Sequence, residues 1–133
     1  NLVEVVSYLK ETFPELKRVT SYARSSTLAR KPVEDLRQLK AAGLNRIHVG
    51  LESGSDEVLA FVRKGVTAAQ QIEGGQRVVA AGIELSEYVM PGLGGRRLSR
   101  ENAMETARVL NAINPDFLSV RTLARPAGTG RRA

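Results

Sequence analysis

Gly50-Leu51-Glu52-Ser53-Gly54-Ser55-Asp56-Glu57-Val58-Leu59 is the stretch whose reading decides the fold. Just before it, Arg46, Ile47, His48 and Val49 predict a β-branched strand that runs straight into the carboxylate of Glu52. A short Ser/Gly turn follows, and a helix is expected to open at Ser55 with Asp56 and Glu57 in its first turn. A charged side chain thus stands at the carboxyl end of a strand, beside the free amides of a helix start. Open and barrel α/β folds place their ligand chemistry at this point.

Working outward, the chain repeats one pattern of amphipathic helix, turn and short strand. Leu2, Val5, Val6, Leu9 and Phe13 fall at helical spacing, and Pro14 marks an end. A strand is expected over residues 18–23. Pro32 suits a helix first turn, Leu36 and Leu39 line that helix, and Gly43 ends it. The strand of residues 46–51 comes next, then a helix over 55–64 stopped by Gly65. Thr67 caps another helix with Ile72, Val78 and Val79 as its buried face and Gly82 as its stop. Within it, Gly74 and Gly75 point to close packing on a neighbour. A third strand covers 83–90, the loop Pro91-Gly92-Leu93-Gly94-Gly95 follows, and Ser99 caps a last helix faced by Met104, Ala107, Leu110 and Ile113. A fourth strand is expected over 117–123.

Strands separated by helices imply crossover connections and a parallel sheet. Strand alternation puts Ile47, Val49 and Leu51 on one face, against helices, and His48, Gly50 and Glu52 on the other. The same sorting places Thr20, Tyr22, Arg24, Ser86, Tyr88, Met90, Ser119 and Arg121 on that second face. A sheet covered on both faces would have near-continuous apolar strands. The expected fold class is therefore α/β, with parallel βα repeats forming part of a (β/α) TIM-type barrel. Tyr22, Arg24, Glu52, Tyr88 and Arg121 gather at its strand ends.

The 133 residues, 42% hydrophobic and 26% charged, fit one soluble domain. Residues 1–124 are expected to form it, with 125–133 as a flexible basic tail. With no cysteine there are no disulfides and no thiolate ligands, and a single histidine excludes a His-pair zinc site. No apolar run approaches the ~20 residues of a membrane span. No basic leader precedes Val3, and the expected location is cytoplasmic. The net charge of +6 is concentrated late, at Arg96, Arg97, Arg100, Arg108, Arg121, Arg125, Arg131 and Arg132. That is either a solvated surface or a phosphate-binding one, and Phe117 is the lone aromatic interleaved with it.

Each candidate also has a structural role open to it. Glu52 could simply pair with Arg24 or Arg121, His48 could be a hydrogen-bonded core residue, and Tyr22 and Tyr88 could be packing. The glycines of residues 92–95 lack the third glycine of a dinucleotide fingerprint, since Arg97 stands in its place.

At residues 50–55 the chain resembles the radical S-adenosylmethionine (SAM) enzymes. It is most similar to the branch of oxygen-independent coproporphyrinogen oxidase, the methylthiotransferases and the Elongator catalytic subunit. Lys64-Gly65-Val66-Thr67 stands where that branch carries a basic residue after the helix. Arg18-Val19-Thr20-Ser21-Tyr22-Ala23-Arg24, Leu85-Ser86-Glu87-Tyr88-Val89-Met90-Pro91-Gly92-Leu93-Gly94-Gly95 and Asn114-Pro115-Asp116-Phe117 match in order. The resemblance implies a partial barrel that binds SAM at its strand ends. By that analogy Glu52 and Lys64 contact the ribose or methionyl end, Ser53 lines the pocket, and the loop with Gly92 and Gly94 admits the adenine. Arg24 and Arg121 would face the SAM carboxylate or the substrate. Tyr88 stands where relatives often carry Asp.

In the family a [4Fe-4S] cluster converts SAM to a 5′-deoxyadenosyl radical. Cluster irons need thiolates, and this chain has none to give. The resemblance therefore implies the later half of a catalytic core, beginning after the Cys-x-x-x-Cys-x-x-Cys loop and inactive alone, with tRNA among the branch's substrates. The other readings are a stand-alone nucleoside-binding module and a nucleic-acid-binding domain without catalysis. Unpaired strand edges would make the chain self-associate.

Overall fold

The computed structural model describes residues 1–122. Leu123 of the expected fourth strand, the basic tail and the arginines at 125, 131 and 132 lie outside them. In chain order the elements are α1 (Leu2–Thr12), β1 (Thr20–Ala23), α2 (Ser25–Leu28), α3 (Val33–Ala42), β2 (Arg46–Glu52), α4 (Asp56–Phe61), α5 (Ala68–Ala80), β3 (Glu84–Val89), α6 (Ser99–Ile113) and β4 (Phe117–Val120). The four strands form one parallel sheet in the order β1-β2-β3-β4. Partners such as Ile47 and Leu85 sit side by side on the helix-facing side. Leu36, Leu51, Val78, Leu85 and Val109 form the fully buried centre between sheet and helices, each apolar side chain contributing roughly 1.5–3 kcal/mol.

The local signals act as expected at several ends. Thr67 and Gln70 make a reciprocal capping box at α5. Ser55 accepts the Val58 amide at the start of α4, and Gly43 closes α3 at φ +117°. The glycine pair of α5 does bring neighbours close. A Cβ at Gly74 would lie 2.7 Å from the Ser25 carbonyl oxygen, and one at Gly75 2.6 Å from Ile113 Cγ2.

Other expectations need correction. Leu98, not Ser99, is the cap residue of α6, and the Asn102 amide donates to its carbonyl. The buried face of α6 is Asn102, Thr106, Val109 and Ile113, while Met104 is 64% exposed and Ala107 faces solvent. Two polar residues share the core-facing side with the expected Ile113, because Thr106 accepts the Gly54 amide of the β2–α4 turn and Asn102 donates to the Met90 carbonyl and accepts from Thr106. Val79 of α5 is exposed, and Leu2, Val5 and Phe13 of α1 are likewise exposed, because α1 packs chiefly on α3 and buries Val6. Ser86 pairs with His48 on the open face, as sorted, and is covered there by its neighbours.

Candidate functional site

Backbone geometry at the end of β2 sets the site. The β2–β3 register shifts between Gly50 and Glu52, and Glu52 takes φ +63°. Its carbonyl still accepts the Met90 amide at 2.8 Å, so the ladder closes behind the irregularity. The next turn is braced from below. The Ser53 hydroxyl accepts the Ser55 amide at 3.0 Å, and Thr106 Oγ1 accepts the Gly54 amide at 2.9 Å. Thr106 in turn donates to Asn102 Oδ1, and the Ser55 hydroxyl donates to Glu101. Gly54 has no room for a side chain, since a Cβ there would lie 2.5 Å from the Glu105 carbonyl oxygen.

Helix α4 was expected to run to Lys64, but it ends at Phe61. The Lys64 amide donates to the Leu59 carbonyl and the Arg63 amide to Ala60, with Arg63 at φ +55° where glycine is usual. This reversal turns Lys64 back over the strand end. Its Nζ lies 2.5 Å from Glu52 Oε1, both side chains being about three-tenths exposed. Glu52 therefore pairs with Lys64 rather than with Arg24 or Arg121.

Three hollows meet at Glu52. The largest, about 730 Å³, also takes in Arg24, Gly50, Arg63 and Lys64. A second of about 240 Å³ runs between Met90, Gly92, Asn102 and Thr106. A third of about 270 Å³ includes Tyr22, Tyr88 and Arg121. The largest falls within the size range of small-molecule pockets, and the other two lie just below it. Of the residues singled out from sequence, Glu52, Lys64, Arg24, Tyr88, Arg121 and Gly92 line these hollows. Ser53 and Gly94 do not. Ser53 is fully buried beneath the turn, and Gly94 packs so closely that a Cβ would meet Leu98 at 2.7 Å. Both shape the loops around the mouth. Arg24 and Arg121 are exposed and make no ion pair among the described residues.

The chain matches the Radical SAM superfamily over residues 2–109. It belongs to that family. The tRNA uridine(34) acetyltransferase of Methanocaldococcus jannaschii is 26% identical over 84 residues, covering 63% of this chain and 15% of that protein. The enzyme of the same name from Methanocaldococcus infernus is 25% identical over 85 residues, again 15% of its length. Among solved structures, methylornithine synthase (PylB) superposes with a TM-score of 0.71 at 20% identity, covering 96% of this chain and 35% of that one. The cobalamin-dependent S-adenosylmethionine radical enzyme OxsB, with aqua-cobalamin and S-adenosylmethionine bound, gives 0.58 at 23% identity over 81% of this chain and 16% of its own. This radical SAM chain thus spans a small part of each relative, and its fold is theirs.

Membership implies SAM and a [4Fe-4S] cluster as the cofactors of the complete enzyme. The two fit this chain differently. A carboxylate, an ammonium and a guanidinium around adjoining hollows, with backbone open at Gly92 (φ +82°), suit a zwitterionic nucleoside. No cysteine is available for iron, so the residues here do not fit the cluster. No helix among the described residues is long and apolar enough to cross a membrane.

On the open face of this radical SAM sheet three aromatic side chains form a triangular cluster, an aromatic row in that its members come from β1, β2 and β3 in turn. Tyr22 and His48 rings stack at 5.1 Å, His48 and Tyr88 at 5.8 Å, and Tyr22 and Tyr88 at 6.5 Å with planes 10° apart. Tyr88 Oη lies 3.1 Å from His48 Nδ1, and the Arg121 guanidinium sits 4.8 Å from the Tyr88 ring centre. Burial, then the charges of Arg46 and Arg18, push the His48 imidazole below its ordinary range, so it is neutral at pH 7. The Tyr88 hydroxyl pushes that of Tyr22 up.

Sequence reasoning passed over Glu87. It lies on the helix-facing side of β3 beside Val49, is 1% exposed, and has no partner for Oε2 among the described residues. Burial pushes its carboxyl up to about 8, against the opposing pull of Lys64. Gln71 of α5 is similarly buried, with Nε2 donating to the Leu51 carbonyl and Oε1 unpartnered among the described residues. The available signal was one acid between Leu85 and Val89 on an otherwise apolar strand face.

Proposed function

We propose that this chain is part of the core of a radical SAM enzyme, that it binds SAM at the carboxyl ends of its strands, and that the enzyme acts on tRNA in the cytoplasm. The observation that carries the reading is Glu52, turned at φ +63° into the junction of three hollows with Lys64 as its ion-pair partner. A carboxylate accepts hydrogen bonds from a ribose diol, and an ammonium or guanidinium binds a carboxylate. Glu52 would take the ribose hydroxyls. Lys64 pairs with that carboxylate and, with Arg24, faces the methionyl carboxylate. The backbone near Gly92 and Gly94 borders the adenine, Ser53 holds the turn from beneath, and Tyr88 and Arg121 close the far side. When bound and reduced, SAM supplies a hydrogen-abstracting radical; these residues bind and orient it. The tRNA substrate is supported by the names of the two archaeal relatives and by the basic stretch at Arg96, Arg97, Arg100 and Arg108.

Titration calorimetry of the 133-residue chain with SAM tests the reading. Binding is expected, and Glu52→Gln should weaken it about tenfold or more, the equivalent of ~1.4 kcal/mol. No binding at millimolar SAM, or equal binding by the variant, would overturn it. A second reading, a nucleoside-binding module without catalysis, draws support from the cysteine-free sequence. Tight SAM binding to a protein whose whole reading frame lacks the cysteine loop would favour it. Within the described residues β1 and β4 are unpaired sheet edges, and self-association through them should appear as a concentration-dependent mass in sedimentation.

A further inference from the structure

The aromatic row differs from an ordinary cross-strand pair. Cross-strand rings stabilise a sheet when neighbours cover them, but Tyr22 remains 74% exposed, by far the most open ring of the three. The three rings share an orientation, with planes within 30° of one another. The Tyr88 corner of the cluster is flanked by the Arg121 guanidinium, itself a planar group that stacks. Tyr22, Tyr88 and Arg121 border the same hollow as Glu52, which places the row beside the SAM mouth and not within its largest hollow. The neutral His48 adds no charge to the stack.

We infer that Tyr22, His48, Tyr88 and Arg121 form a stacking platform for a nucleobase of a single-stranded RNA segment, the substrate base that lies next to SAM. The inference rests on the SAM reading above for what happens at the base, but not for its binding. A flat π surface accepts any base by its face, and sequence-specific RNA recognition works on splayed, unstacked bases held by aromatic side chains and arginine planes. The Arg121 guanidinium bordering the platform suits a phosphate beside such a base. This assigns Arg121 to the substrate rather than to the SAM carboxylate.

The chain itself supplies the reporter, having no tryptophan and three tyrosines. Tyr8 is remote on α1, so Tyr8→Phe leaves Tyr22 and Tyr88 as the emitters. In that background a nonauridylate is expected to quench tyrosine emission. Tyr22→Ala should weaken its binding roughly five- to 150-fold, the range for one base–aromatic stack, while Tyr22→Phe retains it. An abasic oligomer of equal length should bind weakly and identically to both. SAM affinity, measured in parallel, should be unchanged by Tyr22→Ala. Absence of nonauridylate binding overturns the inference, as does a Tyr22→Ala effect below twofold or abasic binding as tight as that of the nonauridylate. Loss of SAM affinity in Tyr22→Ala would assign the row to the SAM adenine and overturn it too. Nonauridylate binding retained in a chain that does not bind SAM would sink the SAM reading alone.

Discussion

At the amino-terminal edge of the sheet the polar groups are matched to partners within the chain. Arg46 holds Glu84 at 2.8 Å and lies 3.8 Å from the Phe117 ring centre. Asn45 accepts the Val19 amide, and Asp116 accepts the Leu85 amide, each at 2.8 Å. At the carboxyl-terminal edge Glu52 has Lys64 alone, Arg24 and Arg121 reach into open hollows, and aromatic rings stand uncovered. One edge is finished by its own side chains. The other is held in shape from below, by Ser53, Thr106 and Asn102, and leaves its upper groups for something that the sheet does not contain. In barrel folds this is the division between the stabilising and the reactive end.

The division can be attacked first through Glu87, which lies in the layer beneath the open edge. Between pH 4.5 and about 8 the folded protein keeps a proton on Glu87 that the unfolded chain has released. Its stabilising share is therefore complete below 4.5 and is lost as pH rises through 8, at about 1.4 kcal/mol per pH unit. Glu87→Gln should be near-neutral at pH 5 and gain up to about 4 kcal/mol at pH 8, read from urea unfolding at both values. A parallel pH profile for the two proteins would show that Glu87 is not buried as a neutral acid.

A smaller loss is expected from Gly54→Ala, where the new methyl meets the α6 backbone. About 3 kcal/mol should go, and SAM affinity with it, because the turn and the site are one piece. Smaller again, Asp116→Ala should cost about 1–3 kcal/mol by orphaning the Leu85 amide, and leave SAM binding unchanged. Its mirror image is Glu52→Gln, which should move stability by less than about 1 kcal/mol, since the pair is partly exposed. If Asp116→Ala disturbs binding, or Glu52→Gln unfolds the chain, the two edges are not separate in function.

The parallel βα order, the face sorting of β2 and the convergence of Glu52, Arg24, Tyr88 and Arg121 were legible because each follows from strand period or from a strand-to-helix junction. What escaped depended on partners distant in sequence. Helix α2 is a single turn, Ser25–Leu28, whose Ser25, Ser26 and Thr27 are poor helix formers and which is seated against Gly74 of α5. Asn102 and Thr106 look like surface residues until the turn that they hold is in view. Glu87 breaks the burial rule outright, and no local pattern announces a protonated acid. The reversal that aims Lys64 at Glu52 puts Arg63 as well as Gly65 in the left-handed region, and only the glycine announces this in the sequence.

Glu52 occupies a backbone conformation that an L-residue adopts at a cost of order 1–3 kcal/mol and glycine adopts freely. Selection for durability alone would therefore favour glycine there. Keeping the carboxylate is a trade-off in which the strand end remains less stable than it could be so that its chemistry stays in place. Glycine at this position should yield a hardier protein with an empty purpose.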